Sequence, residues 1–353
     1  MEFARKDHLV GLDIGSSTIK AAEIQISRKG NALKKFGMMP VVPGAIVDGR
    51  IRDMPGVADT IRTLFKSLKI REKKVAVSFG GPSVAINTIH TDRMPAKYLQ
   101  KTIAAEVEQY IPYEIGEVNI DYQILGESEF LSDQMNVLLV AVKKDLVAQY
   151  MALTAMAGLG ASIIDVDTFA LHNIYETLPG LDPEDLTLLL DVGASKTSLN
   201  IVKNNISMMM LANGSGTFQI IEEIAAQFET DFPTAEKILL NPVSDAPDPE
   251  IMTAIFHQAA EIWCSEIGDA VHTFLSNNSP DERVTRIVVS GGGSYIRPFM
   301  DRLETEMGAR AFVIEPFAGL NLDEKTFSPA YISQVGPLAS IALGLALRRV
   351  DDK

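Results

Sequence analysis

Two stretches half a chain apart share one pattern. LVGLDIGSSTIKAAEI runs from Leu9 to Ile24, and LTLLLDVGASKTSLNIV from Leu186 to Val202. Each is an apolar run, an acid, an apolar residue, a glycine, small and hydroxyl residues, then alternation. Asp13 aligns with Asp191 at a spacing of 178 residues, which also places Gly15 on Gly193 and Ser17 on Ser195. Such an echo predicts two related halves. A chain of 353 residues, 46% of them hydrophobic, has the apolar material for two cores.

Each copy reads as a β-hairpin. The residues before the acids (Leu9, Val10, Leu12; Leu188, Leu189, Leu190) suit buried central strands, and Gly15 and Gly193 permit the turns. Successive N–H groups in a tight turn form an anion-binding concavity. Ser16, Ser17, Thr18, Ser195 and Thr197 add hydroxyl donors, and Lys20 adds a positive charge. Asp13 and Asp191 repel phosphate but can hold a hydrated Mg²⁺ that neutralises it. Two facing turns would clamp a polyphosphate. A single D-x-G turn occurs in many hairpins; the second copy carries the functional reading.

Bulk properties exclude other classes. Net charge −14 argues against nucleic-acid binding and against attachment to an anionic membrane. The one cysteine, Cys264, excludes an internal disulfide and reads as buried filler beside Trp263. MEFARKDHLV lacks the apolar segment of a signal peptide, and PLASIALGLAL is too short to span a membrane. A cytoplasmic protein without direct membrane insertion is expected. There is no P-loop or HExxH motif, and GSGTFQ lacks the third Rossmann glycine.

RIVVSGGGSYIRPFMDRLETEMG, Arg286 to Gly308, reads as strand, glycine turn and helix. Gly291, Gly292 and Gly293 would let a flat ligand lie against the backbone. Phe299, Leu303 and Met307 share a helical face. The two D-x-G hairpins and this strand–glycine–helix unit resemble the phosphate 1, phosphate 2 and adenosine motifs of the actin-like ATPases, over nearly the whole chain. That resemblance implies ATP with Mg²⁺ as ligand. It puts Asp13, Gly15, Ser16, Ser17, Thr18 and Lys20, with Asp191, Gly193, Ser195 and Thr197, at the phosphates, and Gly291, Gly292, Gly293 and Ser294 at the adenosine. GSGTFQIIEEIAAQF resembles the family's glycine turn entering a helix, with Gly216 and Thr217 near the phosphates. DFPTAEKILL resembles the segment whose acid and lysine meet ribose and base, here Glu236 and Lys237.

The stretch from about residue 83 to 157 separates branches of the superfamily. Leu99, Ile103, Val107, Tyr110 and Ile111 predict one amphipathic helix stopped by Pro112, followed by strands VNIDYQIL and MNVLLVAV and a helix from Lys143 to Ala157. An α/β insertion here resembles the 1C subdomain of FtsA. EVEQYIPYEIGEVNIDYQIL, with VPGAIVDGRIRDMPGVADTIRTLF and IDVDTFAL, resembles the PilM family of type IV pilus assembly proteins, including segments with no nucleotide role. The resemblance implies a cytoplasmic protein peripheral to the inner membrane. It would be recruited through the N-terminal cytoplasmic tail of a PilN-like partner, held beside the insertion, with other pilus platform proteins as further partners and no nucleic acid. Self-association is left open. An FtsA-like division protein and a small-molecule kinase of the same superfamily are the other readings.

The expected fold is α/β and actin-like (ribonuclease H-like). Two mixed five-stranded sheets are flanked by helices. Domain 1A comprises 1–82 and 158–185, the 1C insertion 83–157, domain 2 residues 186–335 with a helical part near 230–280, and residues 336–353 return to domain 1A. Hydrolysis is the weak point. In actin-like enzymes a Gln or Glu orients the attacking water; Asp167 lies nearest that position and is a methylene shorter, and Ala194 stands where actin has an acid. Both departures predict slow turnover. Asp167 reads equally as the N-cap of TFALHNIY.

Overall fold

The computed structural model describes residues 8–81, 83–127, 133–241 and 243–350. The opening residues up to Asp7, on which the signal-peptide expectation partly rests, and the last three residues of the 336–353 segment lie outside them.

The chain begins with β1 (Val10–Ile14), β2 (Thr18–Ser27) and β3 (Gly30–Pro40), then a short pair β4 (Ile46–Val47) and β5 (Arg50–Ile51). Helix α1 (Met54–Leu68) follows, capped by the Asp53 carboxylate on the Gly56 N–H and closed by left-handed Lys69. Its buried face is Val57, Ala58, Ile61, Leu64 and Phe65. Strand β6 (Lys74–Phe79) leads into β7 (Val84–Asp92), α2 (Ala96–Glu106), β8 (Val118–Glu127), β9 (Gln134–Lys143) and α3 (Lys144–Met156). Strand β10 (Gly160–Val166) returns to the first sheet, whose order is β10-β6-β1-β2-β3. Strands β7, β9 and β8 form a separate antiparallel sheet covered by α2.

Helix α4 (Asp167–Tyr175) crosses to the second half, where β11 (Thr187–Val192), β12 (Thr197–Lys203) and β13 (Ile206–Asn213) form a meander. Helices α5 (Thr217–Gln227), α6 (Phe232–Leu240) and α7 (Pro249–Asn278) precede β14 (Arg286–Ser290), α8 (Arg297–Met307) and β15 (Arg310–Val313). The second sheet has the order β13-β12-β11-β14-β15. The repeat is therefore structural: β1 lies antiparallel to β2 and parallel to β6, as β11 lies antiparallel to β12 and parallel to β14. Both strands that carry the acids have strands on either side, which is why their sequences are apolar on both faces. Helix α9 (Pro329–Ala346) returns to pack on α4, β1 and β2.

One predicted helix differs. The winding expected through Ile111 ends at Glu106 and tightens into a 3₁₀ turn over Val107–Gln109. Pro112 disfavours the α conformation at the residue before it, and the tighter turn brings Ile111 into the core at 6% exposure.

A polar seam joins the halves beneath the sheets. Asn200 donates to Ser207 Oγ at 2.9 Å, and Ser207 meets His172 Nδ1 at 3.2 Å. Burial pushes the His172 pKa down to about 4. The folded value lies below the unfolded one, so this stability is present above pH 6.5 and is lost as pH falls toward 4. Between pH 7.5 and 4 the loss from this group is about 3 kcal/mol. Urea midpoints should fall less on acidification in His172→Gln than in the wild type.

Candidate functional site

The two hairpin turns face each other. Ser16 Oγ and Ser195 Oγ, one from each half, lie 2.7 Å apart. The turns are built alike: Gly15 N–H donates to the Thr18 carbonyl at 3.1 Å, and Gly193 N–H to the Lys196 carbonyl at 2.9 Å. No hydrogen bond among the described residues engages the N–H groups of Ser16, Ser17, Ala194 or Ser195. Each turn thus offers consecutive free donors, the arrangement that holds an anion.

Lys20 is Asp13's cross-strand partner and bonds its carboxylate at 2.9 Å, each side chain 13% exposed. The lysine expected at the phosphates is therefore neutralised in part by the acid expected at the metal. Asp191 has no such pairing among the described residues. Burial first, and then the Asp167 and Asp13 carboxylates, push its pKa up to about 6 against the opposing charge of Lys20. A desolvated carboxylate of this kind fits a divalent cation. Among the described residues no group of three or more acidic, histidine or cysteine side chains could hold a metal. A metal here would bring most of its oxygen ligands as water and phosphate.

Asp167 is not a cap. Val166 occupies the N-cap position of α4, and Asp167 is the first helical residue. Its carboxylate accepts from Ser78 Oγ at 2.6 Å and from the Lys196 ammonium. Burial disfavours that ammonium, but Asp167 beside it outweighs this and holds the Lys196 pKa above the usual lysine value. Asp165, two residues earlier, is 5% exposed in its side chain and pairs with Arg348 at 3.2 Å. Lys196 and Ser78 were not singled out from sequence. The repeat aligns Lys20 with Ser198 and so hides Lys196. The usable signal was strand alternation, which puts residues 196 and 198 on one face. Ser78 is the lone polar residue at the end of the buried run VAVSF, ahead of Gly80 and Gly81.

The helix α5 entry docks on the second turn. Thr217 N–H bonds the Gly193 carbonyl at 3.0 Å and Phe218 N–H the Ala194 carbonyl at 2.8 Å. A Cβ at Gly216 would stand 2.5 Å from the Ala194 carbonyl oxygen, so glycine is required. Several expected site groups have partners within the protein. Thr197 is 4% exposed and donates its hydroxyl to the Ser215 carbonyl at 2.7 Å, closing the turn against α5. Thr217 commits its amide to Gly193. Ser294 donates to the Gly291 carbonyl at 2.7 Å, so its hydroxyl shapes the glycine turn. Gly291, at φ +83°, and Gly293 are glycines because Cβ atoms there would lie 2.3 Å from Val192 atoms. Gly292 alone keeps open space, with nothing nearer than Thr217 Cγ2 at 3.9 Å. Glu236 is half-buried and Lys237 exposed on α6. Ser17 accepts the Val41 N–H at its carbonyl.

Duplicated five-stranded sheets with a D-x-G turn from each meeting in the gap, and a glycine turn beside the second, define an actin-like fold. The profile of the family described as type IV pilus assembly protein PilM matches residues 11–350. The chain belongs to the PilM family of type IV pilus assembly proteins. It is similar to the solved PilM-PilN type IV pilus biogenesis complex, with 25% identity, TM-score 0.86, and coverage of 98% of this chain and 99% of that one. It is also similar in fold to ethanolamine utilization protein EutJ from Carboxydothermus hydrogenoformans (15% identity, TM-score 0.57, 96% and 89% covered). Diol dehydratase-reactivating factor in nucleotide free form shares the fold too (10% identity, TM-score 0.55, 96% and 99% covered). No helix among the described residues is long and apolar enough to cross a membrane.

Proposed function

We propose that this type IV pilus assembly protein binds ATP between the two turns and hydrolyses it slowly or not at all. We further propose that it carries the N-terminal cytoplasmic tail of a PilN-like partner, which recruits it to the inner face of the inner membrane. The observation that carries the first part is the meeting of Ser16 and Ser195 across the halves, each flanked by free backbone N–H groups. Ser16, Ser17, Ala194 and Ser195 would hold the phosphates, Gly292 would face the adenosine, and Asp191 with Asp13 would hold Mg²⁺ through water. Bound Mg²⁺ would supply charge neutralisation of the polyphosphate. Slow turnover follows from Asp167, which is a methylene shorter than the Gln or Glu that orients the water in actin-like enzymes and keeps one oxygen on Ser78.

The second part rests on the PilM family and on the similar complex containing PilN. A cavity of about 210 Å³ beside the inserted sheet, lined by Val84, Ile86, Tyr113, Met210 and Leu211 and also by Asn87, Asp167 and Ser198, offers a recess of side-chain size with both apolar and polar walls. The test combines two titrations. A labelled PilN-type N-terminal peptide should give saturable anisotropy with the wild type. Phosphate release from ATP should run at least about a hundredfold below the ~10 s⁻¹ of a median enzyme. Absence of peptide binding sinks the partner assignment. Rapid release stimulated by a small hydroxyl or carboxylate substrate would instead favour a kinase.

A further inference from the structure

Five charged side chains converge between the turns: Asp13, Asp167 and Asp191 against Lys20 and Lys196. Lys20 is held within its own hairpin by Asp13. Lys196 is placed differently. Its carbonyl closes the second turn by accepting the Gly193 N–H, while its ammonium reaches across to Asp167 at the start of α4. The ion pair therefore ties the second half to the first. Ser78 binds the other Asp167 oxygen at 2.6 Å, so the carboxylate keeps a partner when the lysine moves. The pair lies on Gly80 and Gly81: a Cβ at Gly80 would stand 2.7 Å from Asp167 Oδ2 and 3.1 Å from Lys196 Nζ. Those glycines end β6 where the chain leaves for the inserted sheet. The lysine side chain is 25% exposed and the carboxylate 7%, so the lysine is the more accessible member of the pair.

We propose that Lys196 reads the terminal phosphate of a nucleoside triphosphate, exchanging Asp167 for a phosphate oxygen, and so sets the preference for ATP over ADP. The proposal rests on the ATP reading above. Lys196 leaves the turn one residue after Ser195, whose hydroxyl marks where the two turns meet. Its four-carbon stem lets the ammonium swing without moving the backbone. Lys20 is paired with Asp13 inside its own hairpin, so its release would not couple the two halves. A diphosphate lacks the outer charge that would draw the ammonium from Asp167. Asp167 thus opposes triphosphate binding twice, by competing for Lys196 and by repelling the anion.

Calorimetric titration with Mg²⁺-ATP and Mg²⁺-ADP tests this on the full chain. Lys196→Met should weaken ATP at least about tenfold and ADP less than about twofold. Lys196→Arg should keep the preference for ATP. Asp167→Asn should tighten ATP several-fold and leave ADP unchanged. Where Lys196→Met alone fails to fold, the double variant Lys196→Met/Asp167→Asn removes both charges and should bind ATP and ADP alike. An unchanged ATP:ADP ratio in Lys196→Met, or equal weakening of both nucleotides, overturns this proposal while the ATP reading stands. Failure of the wild type to bind either nucleotide overturns both.

Discussion

Replacing Gly344 by alanine lowers folding stability by at least about 3 kcal/mol, whereas Gly336→Ala in the same helix changes it by less than about 1 kcal/mol. Both glycines lie in α9 and both are buried. A Cβ at Gly344 would stand 1.7 Å from the Ala170 carbonyl oxygen and 2.6 Å from its carbon. Those are backbone atoms of α4, so relief requires the two helices to separate. That separation would loosen the shared core of Ala170, Leu171, Ile174, Ala339, Leu343 and Leu345. At Gly336 the nearest atom is Pro316 Cδ at 3.8 Å, an ordinary contact. There alanine gains helix propensity but sets a Cβ against the ring of the following Pro337, and the two effects largely offset. Urea unfolding of both variants measures the contrast. A Gly344→Ala protein as stable as the wild type would show that α4 and α9 do not cross as closely as described.

Asp191→Asn should stabilise the protein at neutral pH. The folded pKa of Asp191 is raised to about 6 from 3.8, mainly by burial and by the Asp167 carboxylate. A raised carboxylate contributes stability that is complete below pH 3.8 and is lost as pH rises through 6. At pH 7.5 the ionised form therefore costs about 3 kcal/mol, of which an isosteric amide recovers about 1–3 kcal/mol. At pH 4 the variant and wild type should unfold at nearly the same urea concentration. The His172 effect runs in the opposite direction over the same range, so the two partly offset in the wild type and each variant must be compared with it. A group that weakens the fold where it sits is the expected signature of a functional carboxylate.

The halves were legible because buried strands and D-x-G turns leave a local pattern that recurs. Asp13, Gly15, Asp191 and Gly193 stand in equivalent places of two equivalent hairpins. The glycine cluster was legible as a turn, but the sequence could not show that Gly291 and Gly293 serve contact with Val192 while Gly292 alone faces open space. That assignment depends on a neighbour roughly a hundred residues away in sequence. Lys196 and Ser78 escaped for the same reason: their partner Asp167 comes from another element, and neither residue type is diagnostic by itself. Thr197 and Ser294 show the converse. Their hydroxyls look like ligand donors in sequence, yet buried hydroxyls take backbone acceptors when these lie within reach.

The central claim is that the two turns form one polyphosphate clamp completed by a metal on Asp191. Calorimetric titration of ATP into wild type and Asp191→Asn, with Mg²⁺ and with EDTA, tests it most directly. The wild type should bind saturably with Mg²⁺. Asp191→Asn should lose about tenfold in affinity with Mg²⁺, as removal of a water-mediated metal partner does, and should bind as well as the wild type or better in EDTA. No saturable heat with the wild type, or an equal loss in both buffers, would contradict the account.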